Sequence, residues 1–99
     1  MKKTFKLTHE KLNPDRHVEA IKHEVKKYIK RERRRKLPAD ADYWDFDCRF
    51  GAEELTSDEI HLSEINASID WAVSEKLQSF YLEIMAKPGY RAKNIEQSE

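Results

Sequence analysis

Eight of the eleven residues from Lys26 to Lys36, KKYIKRERRRK, are basic. Positive side chains this dense can neutralise a phosphate backbone. Each phosphate neutralised releases counterions, which gives affinity without sequence choice. Arginine forks also match pairs of phosphate oxygens. At 100° per residue, Lys22, Lys26, Lys30, Arg33 and Arg34 spread over one broad helical face, and Lys27, Arg31 and Arg35 continue around it. The candidate nucleic-acid-binding residues are therefore Lys22, Lys26, Lys30, Arg31, Arg33, Arg34 and Arg35, with RNA as the expected ligand. The competing account is purely structural. Cations near a helix C-terminus complement its dipole, by about 0.3–1 kcal/mol each, and Glu32 with Lys36 forms a favourable i,i+4 pair. Yet five of the six residues 31–36 are basic, more than dipole compensation requires.

Other chemistry is weakly signalled. His17 and His23 are six apart, about 120° around a helix, and cannot easily share one ion. Glu19 and His23 could, but such i,i+4 pairs are common on solvated helices. Asp45 and Asp47 share one face of a strand, roughly 7 Å apart, and could in principle do acid–base work. Cys48 points to the opposite face, among aromatics that disfavour a thiolate, which marks it as a structural cysteine. A single cysteine excludes an internal disulfide and a multi-cysteine zinc site. No Walker loop, dinucleotide fingerprint, HExxH or nucleophile elbow occurs. No catalytic residue, metal or cofactor is assigned.

These side chains need elements to position them. Thr4–Thr8 alternates and predicts a short strand burying Phe5 and Leu7. Asn13-Pro14 predicts a helix start, and Leu37-Pro38 a stop, so the helix runs from about 14 to about 36. Val18, Ile21, Val25, Tyr28 and Ile29 form its apolar stripe. Glu32 falls on that stripe, so the last turn is expected to project beyond the core. Tyr43–Gly51 is the clearest strand, with Trp44, Phe46, Cys48 and Phe50 on the core face. Ala52–Leu62 reads as an acidic loop. Ser63 is placed as the cap of a second helix carrying Ile65, Ile69, Val73 and Leu77. Residues 79–86 suit a strand by alternation, with a continued helix as the rival, and Pro88-Gly89 stops either.

The expected fold is α+β, a two-layer sandwich in the order β-α-β-α-β. A small three-stranded sheet carries both helices on one face. Residues 1–91 form a single domain, and 92–99 a flexible C-terminal tail.

The 99 residues carry zero formal net charge, but unevenly. Residues 1–36 hold fourteen Lys and Arg against five Asp and Glu, whereas residues 37–83 hold two against twelve. Part of this imbalance should neutralise itself within one small domain. The rest could serve RNA or another nucleic acid. Alternatively, complementary basic and acidic faces could join two copies in a homodimer, or engage an acidic protein, without catalysis. No membrane span and no signal-peptide stretch is present, so a cytoplasmic location is expected.

Three stretches together resemble a family of short bacterial proteins of unknown function, about 100 residues long. They are Lys22–Tyr28 running into Arg31–Pro38, Trp44–Cys48, and Ser79–Ile84 running into Ala86–Gly89. The resemblance covers residues 1 to about 91. It implies a bacterial, cytosolic protein and supplies no activity, cofactor or site.

Overall fold

The computed structural model describes residues 1–8, 11 and 13–91; the tail expected at 92–99 lies outside them. Six regular elements follow one another: β1 (Lys2–Lys6), α1 (Pro14–Arg33), β2 (Tyr43–Gly51), β3 (Asp58–Ile60), α2 (Ile65–Ser74) and β4 (Ser79–Gly89). The architecture is α+β, but the sheet has four strands, not three, and every pairing is antiparallel. The strand order is β1-β4-β2-β3. The missed strand, β3, lies inside the stretch expected to be a loop. It has three residues, Asp58-Glu59-Ile60, too short and acidic to show alternation. It is held by register rather than by apolar content, with Ile60 opposite Cys48 and Asp58 opposite Phe50.

Residues 79–86 are strand, not helix. Nine residue pairs run from Tyr43 opposite Gly89 to Gly51 opposite Tyr81. Pro88-Gly89 does not stop this strand. Strand β1 pairs only with Ser79–Glu83 of β4, so Pro88 lies where β4 has a neighbour on one side only, a position proline tolerates.

The alternation of β2 and β4 decides where the core sits. Phe46, Cys48 and Phe50 of β2 and Phe80, Leu82 and Ile84 of β4 face one way and are buried. They meet Phe5 of β1, Ile21 and Val25 of α1, and Ile65, Ile69 and Ala72 of α2 in one cluster. Ile69, Phe80, Leu82 and Ile84 are completely buried, each contributing about 1.5–3 kcal/mol of transfer free energy. Phe80 stacks between Phe5 and Phe50, at centroid distances of 5.3 and 5.2 Å. The other sheet face is mixed, with Tyr81 buried on it among charged side chains. There Lys87 pairs with Asp47 at 2.7 Å, and Arg49 holds the Ser57 hydroxyl and carbonyl.

One end of each helix differs from expectation. Asn13 caps α1 as its side chain suggests, accepting from the Asp15 amide at 2.8 Å. At the other end α1 stops at Arg33, three residues early. The Arg34 and Arg35 amides turn back to the Arg31 and Glu32 carbonyls, each at 3.2 Å. The Arg35 carbonyl is thereby free to accept from the Trp44 indole N–H at 2.8 Å. Ser63 does not cap α2, whose N-terminus has no side-chain cap; His61 caps the 3-10 turn that precedes it. The Ser63 amide donates to His61 Nδ1, and the His61 amide donates to the Glu64 carboxylate, the two halves of a capping box. A 3-10 turn over Leu62–Glu64 leads from this cap into α2.

Candidate functional site

The seven basic residues singled out by sequence run from the middle of α1 to just beyond its end, and the structure divides them. Lys22, Lys26, Lys30 and Arg33 line one groove between α1 and the start of α2, with a volume of about 700 Å3. They form one wall, spaced four, four and three residues apart, so a cation recurs every ~6 Å along the helix axis or slightly less. Ser63 and Asn66 stand on the α2 side, and Val25, Ile29, Leu62 and Ile65 are the apolar residues of the lining. Arg31, Arg34 and Arg35 are not among the groove residues.

The last turn of α1 does not project, contrary to expectation. Its arginines hold it down where the apolar stripe has run out. The Arg33 guanidinium lies 5.6 Å from the Phe46 ring centroid, and that of Arg35 lies 5.3 Å from Trp44. Each such contact contributes about 0.5–1 kcal/mol at an exposed site. Arg35 also pairs with Glu32 at 2.7 Å, and Arg31 covers the Tyr28 ring at 5.4 Å. Tyr28 and Glu32 are thus half-buried by their own chain. Burial, then the Glu32 charge, raises the Tyr28 phenol above its ordinary pKa.

Three of the four groove cations make no ion pair among the described residues, although the Glu19 carboxylate also lines the groove. Four ion pairs form among the described residues: Lys3–Glu24, Lys22–Asp70, Arg35–Glu32 and Lys87–Asp47. Of these, Lys22–Asp70 alone joins the basic segment to the acidic one. It draws α1 to α2 at the groove's inner end and occupies Lys22 at 2.7 Å. Lys26, Lys30 and Arg33 have no carboxylate partner among the described residues. The acidic segment does not fold back onto them.

Sequence reading placed the cations but missed the facing wall. Ser63 was read as a cap, and Asn66 carries no signal of its own. Only the packing of α2 on α1, marked by Lys22 against Asp70, brings Asn66 into the groove that Lys26 and Lys30 line. Of the four aromatics of β2, three are engaged, whereas Tyr43 is 41% exposed. Phe46 and Phe50 are buried in the core, and Trp44 packs against it beneath Arg35.

The other candidate chemistry finds no setting. Asp45 accepts from the Phe46 amide at 2.8 Å, and Asp47 is held by Lys87. Cys48 is 1% exposed. Burial, reinforced by the Asp47 and Asp45 charges, pushes its thiol up to about 11, which makes it a poor nucleophile. Among the described residues no three His, Cys, Asp or Glu side chains stand together as metal ligands, and no helix is long and apolar enough to cross a membrane.

No curated protein and no solved structure matches the chain significantly. Residues 1–95 match a family described only as a family of unknown function, DUF6172. The match takes in all six elements and both walls of the groove, and the chain belongs to that family.

Proposed function

We propose that this protein binds RNA, in the cytosol, by gripping consecutive phosphates with Lys26, Lys30 and Arg33 in the α1–α2 groove. The observation that carries the reading is their unpaired state. Three cations line one concave surface while, among the described residues, one ion pair joins the acidic segment to the basic one. Like charges gathered without counter-ions destabilise a fold slightly and attract a polyanion strongly. Arg31, Arg34 and Arg35 add to the field around the groove, and Arg35 chiefly fastens α1 to Trp44.

The test is binding of a labelled RNA at low salt, followed by fluorescence anisotropy. Lys26→Glu/Lys30→Glu reverses two exposed groove charges and should abolish binding while leaving the far-UV circular dichroism unchanged. Lys27→Glu/Arg34→Glu, outside the groove, should retain most of the affinity. Equal binding by the groove variant and the wild type would overturn the reading. So would no binding by the wild type at any salt concentration. A concentration-dependent dimer found in that second case would point instead to basic and acidic faces pairing between copies.

A further inference from the structure

We infer that the groove takes single-stranded rather than duplex RNA, with bases turned toward α2 and Asn66 reading a base edge. This rests on the phosphate-gripping reading above and specifies its substrate.

Three features of the groove distinguish the two forms of RNA. First, the cations stand in single file on one wall, from Lys26 through Lys30 to Arg33, suited to one strand of phosphates rather than to two strands flanking a groove. Second, apolar side chains, Ile29 and Leu62 among them, line the space beside that file. In a duplex the base faces are stacked inside and cannot reach such a surface. In a single strand they are splayed and can be buried against it. Third, the facing wall is neutral and hydrogen-bonding. The exposed Asn66 amide offers both donors and an acceptor, the combination that pairs with base edges. A phosphate-only surface would want more cations there.

The volume agrees. About 700 Å3 falls within the ~300–1,000 Å3 that holds small organic ligands. That is room for bases turned in from a strand that runs along the cations. The aromatic platforms used by many single-strand binders are absent from the lining. Affinity should therefore come from phosphates, and preference among bases from Asn66.

The experiment compares a fluorescein-labelled mixed-sequence single-stranded RNA with the same strand annealed to its complement. Both are titrated with the full chain at low salt. The single strand should bind at least about tenfold more tightly. Asn66→Ala, an exposed change that leaves the helix intact, should weaken single-strand binding by about three- to tenfold, the worth of one hydrogen bond. It should leave duplex binding unchanged. Duplex binding as tight as single-strand binding would overturn the inference. So would an Asn66→Ala variant with full single-strand affinity. In either case, loss of binding in Lys26→Glu/Lys30→Glu would leave the phosphate-gripping reading standing. If neither RNA binds, that reading falls and the inference with it.

Discussion

The salt dependence of RNA binding separates a three-cation groove from a uniformly basic helix. For a single strand, the logarithm of the association constant should fall by about 0.7 per log unit of salt for each phosphate neutralised. Asp70 occupies Lys22 and Glu32 occupies Arg35, each at 2.7 Å. Arg31 and Arg34 are not among the groove residues. Three cations remain, so the slope should be about −2.1, and affinity should fall about 20-fold between 50 and 200 mM salt. If all seven basic residues met phosphates, the slope would be about −4.9 and the same change would cost about 900-fold. The perturbation is Lys26→Gln/Lys30→Gln, which removes two charges without introducing repulsion. One contact is left, with a slope of about −0.7 and a fall of about 3-fold over the same range. Anisotropy titrations at five sodium chloride concentrations measure both slopes. A wild-type slope near −5, or a slope the double variant leaves unchanged, would refute the assignment of contacts to the groove.

Three further predictions concern the fold. Lys76 holds a left-handed conformation, φ 58°, as the C′ residue of a Schellman ending to α2, where the Leu77 amide reaches the Ala72 carbonyl at 3.1 Å. Lys76→Gly should stabilise the protein by about 1 kcal/mol in urea unfolding, because glycine adopts that conformation without a Cβ penalty. Gly51→Ala should do the opposite. Its Cβ would stand 2.6 Å from the Ser57 Cα, and such overpacking costs about 1–3 kcal/mol. The third concerns Cys48, whose folded pKa lies above its unfolded one. The folded state therefore holds that proton more tightly, an advantage complete below the unfolded pKa of about 8.5 and lost as pH rises through about 11. The wild-type urea midpoint should fall between pH 8.5 and 10.5, and that of Cys48→Ala should fall less.

The elements that residue patterns disclosed are those whose burial repeats. Phe46, Cys48 and Phe50 alternate, Ile65, Ile69 and Ala72 follow a helical period, and all six are buried. Pattern could not disclose β3, because three residues with one apolar side chain hold no period; its pairing depends on β2 being there. Strand direction was equally out of reach, since alternation is the same in parallel and antiparallel sheets. The basic wall was legible because charge density is local in sequence. The other wall was not, because Ser63 and Asn66 gain their position only from the packing of α2 on α1. The end of α1 was misjudged for a related reason. An arginine lying on a ring replaces a missing apolar contact, and composition alone does not tell that arginine from a solvated one.

The strand order has a consequence for how this protein is made. β4, the last element among the described residues, lies between β1, the first, and β2. Until residues 79–89 leave the ribosome, β1 has no neighbour to pair with, and β2 has only the three residues of β3. Phe5, Val25 and Ile69 have no Phe80, Leu82 or Ile84 to pack on. Synthesis at about 5–20 residues per second leaves seconds in which these apolar stripes are without a sheet, and contacts this distant in sequence form slowly. The sheet therefore cannot close before residues 79–89 have emerged. The α1–α2 groove comes into being only when the final strand closes the sheet, so a nascent chain carries the basic segment before it carries the surface that organises it.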